Sequence, residues 1–294
     1  MLALGNFDGV HRGHRKILDR VRRVAGERGA TATVMTFDPH PPRVVRPDKA
    51  PPLLMTTEQR LEAIAGSGVQ GAAIVRFTHE MSQWDPETFV RGVLVDWMRV
   101  GEVWVGANFL FGHDRAGNFS MLRALGARYG FKAEKIDPVR YKDFVVSSTR
   151  IRRLLGEGRV DEAGALLGHQ YYVDGSVVHG DHRGASIGFP TANLCTENEL
   201  IPPHGVYATT TTMAGVVRPS VTNVGVRPTV DASDRVTVET HVFDFTGNLY
   251  GARLRIGFVQ RLRDERRFES LDGLREQIAA DCDRARVLFD RLSL

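Results

Sequence analysis

Two rhythms of apolar and polar residues divide the chain near Gly168. Before that point short apolar runs alternate with amphipathic segments, and after it apolar residues recur mainly at every second position. Apolar runs of buried type predict strands at residues 2–4, 31–37, 71–77, 103–106 and 132–136. Strands that alternate with helices in this way are typical of a parallel sheet with helices on both faces.

Helical spacing of apolar residues predicts the segments between these strands. An amphipathic helix is expected after the first strand, and further helices over residues 57–65 and 119–129. A helical stretch over residues 151–167 is interrupted at Gly156 and Gly158. These helices would cover the two faces of the sheet.

The first residues of one further helix can be recognised in the sequence. Asp85 is expected to be its cap, with Pro86 at the first helical position. The apolar face of this helix is predicted to consist of Phe89, Val90, Val93, Leu94 and Trp97.

The second part of the chain has the period of strands. The alternating positions are Val206, Ala208, Thr210 and Thr212, then Val236, Val238, Thr240 and Val242, then Leu254, Ile256 and Phe258. With Gly and Pro turns between them, they predict an antiparallel barrel or sandwich. A last helix is expected over residues 271–292, with an inward face of Leu274, Ile278, Leu288 and Phe289.

The predicted fold class is therefore α/β plus β. A Rossmann-like parallel sheet is expected in residues 1–168, and an antiparallel domain with a terminal helix in residues 169–294. The length of 294 residues also favours two domains. The first strand begins directly after Met1, without the leading segment expected before such a sheet.

Composition narrows the class of protein. The net charge is only +4. This small excess of basic residues could attract anionic substrates such as nucleotides, but the basic residues form no tract of the kind that binds nucleic acid. No apolar run is long enough to span a bilayer and no signal peptide is recognised, so a cytoplasmic protein is expected. Cys195 and Cys282 make neither a disulfide framework nor a metal set, and Cys282 is expected in the core.

Residues 5–14, Gly-Asn-Phe-Asp-Gly-Val-His-Arg-Gly-His, carry the first candidate chemistry. His11 and His14 are three apart, so both can project from one side of a first helical turn. Free backbone N–H groups and the positive end of the helix dipole point the same way, which suits a triphosphate. His-x-x-His alone occurs by chance in many loops, but the glycine turn and the strand before it favour a site.

Residues 147–150, Ser-Ser-Thr-Arg, add hydroxyls and a fixed positive charge for the same phosphates. Together the two segments indicate a site that breaks ATP at its α-phosphate. A simple N-cap for a helix that begins near Ile151 is the alternative, and both interpretations can hold at once. Residues 5–14, 36–40 and 106–112 all follow predicted strands, where ligands bind to parallel sheets.

Residues 180–194 carry a second candidate site. Its glycines suit a flap over phosphates. Thr191 and Asn193 are two apart in an extended segment, so a hydroxyl and an amide oxygen face one side and suit Mg²⁺. Turn chemistry is the alternative for both. Glu239 lies in a predicted strand and is a candidate base for a substrate hydroxyl, although alternation alone favours an outward-facing surface carboxylate.

These motifs together resemble those of the prokaryotic bifunctional riboflavin kinase / FAD synthetases, and the resemblance covers essentially the whole chain. The strings that carry it are residues 5–14, 36–41, 105–112, 147–152, 183–194, 205–208, 223–229 and 238–244. The resemblance implies a nucleotidylyltransferase sheet that adenylylates FMN to FAD with release of pyrophosphate. It also implies a riboflavin kinase barrel that phosphorylates riboflavin to FMN, and Mg²⁺ with ATP as co-substrate in both.

The resemblance also implies roles for individual residues. In the first site His11 and His14 would act in catalysis. The residues implied to bind ATP or its phosphates are Gly5, Phe7, Asp8, Gly13, Ser147, Thr149 and Arg152, and in the kinase Gly180, Gly184, Gly188, Thr191 and Asn193. Those implied to bind flavin are Phe37, Asp38, Pro39, His40 and Asn108. Thr191 and Asn193 would hold the metal, and Glu239 would be the kinase base.

Some positions depart from the family pattern. Ala107 stands where an acidic residue is common, and Ala185 and Ser186 stand in a flap that is usually more basic. The alternatives are a kinase that has lost adenylylation, which Ala107 favours, and a non-catalytic flavin-binding protein. The intact histidine pair opposes the first, and Thr191, Asn193 and Glu239 oppose the second. A nucleotidylyl enzyme that acts on nucleic acid would share the chemistry of the first site, but the sequence shows no large basic surface with aromatic residues. Expected partners are riboflavin, FMN and ATP, without nucleic acid or membrane; self-association is left open.

Overall fold

The computed structural model describes residues 1–180, 184, 187–227 and 235–292. Contacts divide the chain into two compact units, Met1–Ser148 and Thr149–Leu294. The spacing of apolar residues changes from helical to alternating only near Gly168, about twenty residues after this boundary, because the segment between them is helical. Its second helix packs against strands of the second unit.

The first unit alternates strands with helices. In chain order its elements are β1 (Leu2–Leu4), α1 (Arg12–Glu27), β2 (Thr33–Asp38), α2 (Pro41–Val45), a 3₁₀ turn (Pro47–Lys49), α3 (Thr57–Ala65), β3 (Gly71–Arg76), α4 (His79–Ser82), α5 (Pro86–Phe89), a π-helix (Val90–Trp97), β4 (Glu102–Gly106), β5 (Leu110–Phe111), a 3₁₀ turn (His113–Arg115), β6 (Gly117–Asn118), α6 (Phe119–Tyr129), β7 (Lys132–Ile136), β8 (Arg140–Tyr141) and β9 (Phe144–Val145).

Five of these strands form the predicted parallel sheet, in the order β3-β2-β1-β4-β7. The register is set from β1, where Leu2 pairs with both Thr33 of β2 and Val103 of β4. The chain thus builds outward to one side of β1 and then to the other. Such a topological switch point leaves a crevice at the carboxyl ends of β1 and β4, where ligands bind in open α/β sheets.

Apolar packing fixes both faces of this sheet. On one face Leu4 and Val105 pack with Phe89, Leu94 and other members of the main core cluster. The apolar stripe of α1, predicted from its spacing, is buried; its residues are Ile17, Leu18, Val21, Val24 and Ala25. Through this stripe α1 packs against β1 and β4 of the confirmed sheet. This packing fixes the position of the residues that directly precede α1.

The helix after Asp85 differs from its prediction in one respect. Asp85 caps it, since its carboxylate accepts from the N–H groups of Glu87 and Thr88. After α5, however, the chain continues as a π-helix, and Trp97 is 56% exposed. A π-helix bonds i to i+5 and so has more residues per turn than an α-helix. Trp97, seven residues after Val90, therefore leaves the apolar face to which α-helical spacing assigned it.

The second unit contains two helices, a barrel and a terminal helix. In chain order its elements are α7 (Ser148–Gly156, which begins at the last residue of the first unit), α8 (Val160–Leu167), β10 (Tyr171–Val178), β11 (Ala192–Thr196), β12 (Gly205–Met213), β13 (Val216–Arg227), β14 (Arg235–Val242), β15 (Arg253–Arg263) and α9 (Leu271–Leu292).

The predicted helical stretch over residues 151–167 is thus two helices. The first begins three residues earlier than Ile151, and the break lies at Gly158, whose φ is +76°. A left-handed residue cannot continue a right-handed helix, and glycine adopts that conformation without steric cost.

The six strands close into an antiparallel barrel, which resolves the choice between barrel and sandwich. The order around it is β10-β11-β14-β13-β12-β15. Its interior contains a chain of buried hydroxyls, in which Thr209 bonds Ser220 at 2.8 Å and Thr222 at 2.7 Å. These bonds satisfy polar groups that would be costly to bury alone.

Helix α9 packs on the outside of the barrel. Ile278, Leu288 and Phe289 join a cluster with barrel residues such as Val206 and Phe243, as their spacing predicted. Leu274, the fourth predicted contact, is only half-buried and lies outside that cluster. Cys282 belongs to the cluster, and burial raises the pKa of its thiol to about 11. Nowhere in the described ranges is a helix long and apolar enough to cross a membrane.

Candidate active sites

The loop after β1 adopts an unusual backbone. Phe7 and Val10 have φ of +51° and +36°, and Gly9 has +85°. Left-handed backbone costs a residue other than glycine on the order of 1 kcal/mol. Both side chains are almost completely buried, which offsets that cost. The loop is therefore held in one shape at the switch point of the sheet.

Neighbouring elements hold this loop through its carbonyl groups. Thr36, at the end of β2, donates to the carbonyl of Asn6 at 3.0 Å, and Arg60 of α3 donates to the same oxygen at 3.3 Å. Ser148, at the start of α7, donates to the carbonyl of Asp8 at 2.9 Å. The two sequence motifs that predicted this site are thus joined directly.

Asp8 is a buried residue with a structural function in this arrangement. Its carboxylate accepts from the backbone N–H of Leu54 at 3.0 Å and of Met55 at 3.3 Å. Gly5 continues the sheet by donating to the carbonyl of Met35. A Cβ at Gly5 would lie 3.4 Å from the ring of Phe7. Asp8 and Gly5 therefore shape the loop around the implied phosphate site.

The two histidines lie together, as their spacing predicted. His11 is the N-cap of α1, and its Nδ1 accepts from the backbone N–H of His14 at 3.2 Å. The rings stack with centroids 3.6 Å apart. Because Nδ1 is an acceptor, the proton of neutral His11 is on Nε2, which can donate to a ligand. A side chain at Gly13 would crowd the His11 ring at 3.1 Å.

His14 is held neutral by its surroundings. Burial, and secondarily the proximity of His11, lower the pKa of His14 well below its ordinary value of 6.5. Its Nδ1 is buried and has no hydrogen-bond partner among the described residues. A buried polar atom without a partner is costly in a folded protein unless a ligand satisfies it. Neutral His14 therefore suits binding of a ligand through hydrogen bonds rather than through a positive charge.

This lowered pKa predicts how stability depends on pH. Between pH 7.5 and 5.5 the unfolded chain takes up a proton at His14 that the folded chain does not, so stability falls as pH falls through 6.5. We expect a loss of up to about 1.4 kcal/mol from this group, measured by urea unfolding at the two pH values. His14→Gln should remove that loss, whereas His79→Gln, at an exposed histidine, should leave it unchanged. Equal losses in wild type and His14→Gln would contradict this assignment.

The residues implied to bind flavin are divided between core and surface. Phe37 packs edge-on against Phe77 in the main core. Asp38 is exposed, accepts from the hydroxyl of Thr57 and precedes a cis peptide bond to Pro39. His40 is buried and precedes α2. Residue 108 follows β4 and its asparagine side chain is exposed.

The Ser-Ser-Thr-Arg segment straddles the boundary of the two units. Ser147 is half-buried and directly precedes α7. Thr149 is exposed and Arg152 half-buried, and both belong to the first turns of α7 in the second unit. The segment contacts the loop after β1 through Ser148, which donates to the Asp8 carbonyl.

The second site is organised by strand register. Asn193 of β11 lies directly opposite Glu239 of β14, and Glu239 lies directly opposite Asn223 of β13. Residues directly opposite in antiparallel strands share a face, with Cβ atoms roughly 5 Å apart. Glu239 is thus half-buried between two amides on the outer face of the barrel. Alternation predicted the face correctly, but Glu239 is not a simple surface carboxylate.

Asn223 is a member of this row that sequence reasoning missed. It lies within a string that resembled the family, but no role was assigned to it. The sequence shows Asn223 only as a polar residue at an alternating position of a strand, which does not indicate a functional role. Asn223 stands out only once the register of β13 with β14 is known, because that register places it directly opposite Glu239.

Glycines of the flap approach the same row. A Cβ on Gly180 would overlap the side-chain amide of Asn193, and one on Gly184 would lie 3.3 Å from the hydroxyl oxygen of Thr191. Gly188, with φ of +88°, closes a short turn in which Phe189 donates to the carbonyl of Gly184 at 2.8 Å. The flap positions 185 and 186, where departures from the family occur, lie outside the described residues.

Thr191 is exposed and held at the start of β11. The Nδ1–H of His241 donates to the carbonyl of Pro190 at 2.8 Å, which fixes the residue before it. No group of three or more His, Cys, Asp or Glu in the described ranges is gathered to hold a metal ion. The hydroxyl of Thr191 and the amide oxygen of Asn193 nevertheless fit Mg²⁺, which prefers few protein oxygens together with phosphates and water.

The close approach of Gly180 to Asn193 predicts a sharp effect of one methyl group. Gly180→Ala should displace the Asn193 amide and reduce riboflavin phosphorylation by about tenfold or more, because small misplacements of binding groups are costly. Gly156→Ala is the matched control, since a Cβ there would meet open space. Steady-state assays of FMN formation would test this. A Gly180→Ala enzyme as active as the control would show that the two residues are not held together during the reaction.

Comparison with known proteins finds one family model for each part of the chain. A family model described as FAD synthetase matches residues 1–150, and one described as Riboflavin kinase matches residues 167–289. The first model therefore covers the sheet with the histidine pair, and the second covers the barrel with the Asn193–Glu239–Asn223 row.

Relatives span nearly the whole chain. The bifunctional riboflavin kinase/FMN adenylyltransferase of Pseudomonas fluorescens is 39% identical over 97% of this chain and 92% of its own length. That of Bacillus subtilis (strain 168) is 35% identical over 99% and 93%. A crystal structure described as a macrolide-efflux protein from Streptococcus pneumoniae has a TM-score of 0.87 and 27% identity, covering 97% and 93%. The chain belongs to the family of bifunctional riboflavin kinase/FMN adenylyltransferases.

Proposed function

We propose that this protein makes FAD from riboflavin in two steps, each of which uses ATP. The barrel phosphorylates riboflavin to FMN, and the parallel-sheet unit then joins FMN to the adenylyl part of ATP. The observation that carries the proposal is that each family model falls on the part of the chain that holds the matching residues. We assign the two activities to residues 1–168 and 169–294.

In the adenylyl transfer, an oxygen of the FMN phosphate attacks the α-phosphorus of ATP. The bond between this phosphorus and the bridging oxygen breaks, and pyrophosphate leaves. We assign stabilisation of the charge that develops on the phosphates to His11 and His14, with the backbone N–H groups at the start of α1. Neutral imidazoles can donate hydrogen bonds without holding the product pyrophosphate too tightly.

The loop before α1 and the end of β2 complete this site in our proposal. Gly5, Phe7, Asp8 and Gly13 shape the phosphate cradle, and Ser147 adds a hydroxyl beside it. We propose that Asp38, Pro39, His40 and Asn108 line the flavin side. Phe37, which packs in the core, would support this wall from behind.

In the kinase reaction, the 5′-hydroxyl of riboflavin attacks the γ-phosphorus of ATP, and ADP leaves. We assign Glu239 as the base that accepts the hydroxyl proton. The amides of Asn193 and Asn223 on either side of Glu239 can orient its carboxylate through their N–H groups. Phosphoryl transfer depends mainly on such positioning and on charge stabilisation.

Mg²⁺ is part of the proposal for both reactions. In the barrel Thr191 and Asn193 would hold it, and there it would supply positive charge that neutralises the phosphate oxygens. Gly180, Gly184 and Gly188 would let the flap lie close to the phosphates. We propose that the enzyme acts in the cytoplasm, on small-molecule substrates and without nucleic acid or membrane.

The flavin product profile tests this proposal. Purified protein supplied with riboflavin, ATP and Mg²⁺ should yield FMN and then FAD, which chromatography separates. Accumulation of FMN without FAD would favour a kinase that has lost adenylylation, for which Ala107 beside Asn108 is the one favouring observation. Flavin binding without turnover would show a non-catalytic protein.

A further inference from the structure

A small hairpin lies against the first turn of α1. It consists of β8 and β9, in which Tyr141 pairs with Phe144 across a two-residue turn. The guanidinium carbon of Arg12 lies 5.1 Å from the centroid of the Tyr141 ring, within cation–π range. Arg12 is exposed and stands between His11 and Gly13. The hairpin thus touches the one residue of the histidine motif that nothing above uses.

The hairpin is anchored at its turn and at its base. Arg140 donates to the carbonyl of Asp143 at 3.0 Å, which closes the turn. Val146 donates to the carbonyl of Val139 at 2.9 Å, and the Val146 side chain is buried. The chain then leads directly to Ser148, which bonds the loop after β1. Tyr141 is therefore a fixed platform at the rim of the phosphate site, rather than a side chain on a loose loop.

The part of the site formed by the histidine pair has no fixed positive charge. Burial keeps His14 neutral near pH 7, so this ring of the stacked pair offers hydrogen bonds but no positive charge. A triphosphate carries several negative charges, most of them on its β- and γ-phosphates. Arg12 is a permanent cation in the first turn of α1, directly beside His11. Its planar fork of donors matches phosphate oxygens.

We infer that Arg12 binds the β- and γ-phosphates of ATP, and that Tyr141 is a positioning residue that holds its guanidinium ready at the rim. This inference rests on the proposed adenylyl transfer and adds a specificity element to the same site. The depth of the residues assigns the phosphates: buried His11 and half-buried His14 lie towards the reacting α-phosphate, and exposed Arg12 lies towards the leaving pyrophosphate.

The test separates binding of ATP from binding of FMN in the adenylylation assay. Arg12→Met should raise KM for ATP about tenfold and weaken inhibition by pyrophosphate to the same degree. Tyr141→Leu should raise KM for ATP and weaken inhibition by pyrophosphate, each by about two- to fivefold, which corresponds to loss of an exposed cation–π contact. Tyr141→Phe, which keeps the ring face, should stay within about twofold of wild type. KM for FMN should change by less than about twofold in all three.

Arg23→Met is the matched control, because Arg23 is an exposed arginine of the same helix that pairs with Glu27 instead. The inference is wrong if Arg12→Met and Tyr141→Leu leave KM for ATP and pyrophosphate inhibition at the control values. It is also wrong if KM for FMN rises as much as KM for ATP, since that indicates general distortion of the site. A wild-type enzyme that makes no FAD would instead overturn the proposed function itself.

Discussion

Replacing His14 by alanine is expected to reduce FAD formation from FMN by about 10²- to 10⁴-fold, while riboflavin phosphorylation continues at the wild-type rate. The buried Nδ1 of His14 is without a protein partner in the described structure, and its ring stacks on His11 at 3.6 Å. Alanine would remove both the imidazole that we propose to bind the phosphates and the ring on which His11 stacks. Kinase activity should persist, because Glu239 and its neighbours belong to the other compact unit.

Assays with riboflavin and with FMN as separate substrates would check this expectation. His79→Ala, at an exposed histidine of the same unit, is the control and should keep both activities. A folded His14→Ala enzyme that lost both activities would show that the units do not work independently. One that kept FAD formation would remove His14 from the site.

Glu239→Gln is expected to have the reciprocal effect. FMN formation from riboflavin should fall by about 10²- to 10⁴-fold, because glutamine keeps the size of the side chain but cannot accept the hydroxyl proton. Its amide can still bond to neighbouring groups, so the barrel should fold. Adenylylation of supplied FMN should remain at the wild-type rate.

The matched control for this change is Glu197→Gln, at an exposed carboxylate of the same unit. Both variants would be assayed for phosphorylation at saturating ATP and riboflavin, with their folding compared by circular dichroism. If Glu239→Gln retained more than about a tenth of wild-type kcat, positioning alone would account for the row of Asn193, Glu239 and Asn223, without a base.

The histidine site was predictable because its parts are local in sequence. A strand, a glycine turn and a helix follow one another within residues 2–27, so spacing alone places His11 and His14 on one turn. The support of the loop was not predictable. The bonds from Leu54 and Met55 to Asp8, and from Ser148 to its carbonyl, join positions 46 to 140 residues apart.

For Asn193, Glu239 and Asn223 of the barrel, too, the sequence predicts one part of the arrangement and only the structure shows the other. Alternation placed Glu239 on the outward face of its strand, and spacing placed Thr191 and Asn193 in one extended segment. Only the register of the barrel brings Asn193 and Asn223 to either side of Glu239. A shift of one residue would have turned those side chains to the opposite face, and single-sequence reasoning does not fix pairings between distant strands.

Two features of the helices depend on local backbone geometry. The α-helical spacing that predicts Trp97 on an apolar face does not hold in a π-helix, so that prediction is wrong. The predicted interruption at Gly158 is confirmed, because its left-handed backbone separates one helix from a second that begins at Val160. In both cases the apolar pattern located the helix correctly, and backbone geometry changed its course.

We propose that the protein cuts ATP at a different bond in each of two separate sites. The most direct test supplies riboflavin with ATP labelled either at its α- or at its γ-phosphorus, and follows the label into FMN, FAD, ADP and pyrophosphate. We predict that the γ label enters FMN and is retained in FAD, whereas the α label enters flavin only in FAD. The α label in FMN, or the absence of the α label from FAD, would contradict the account.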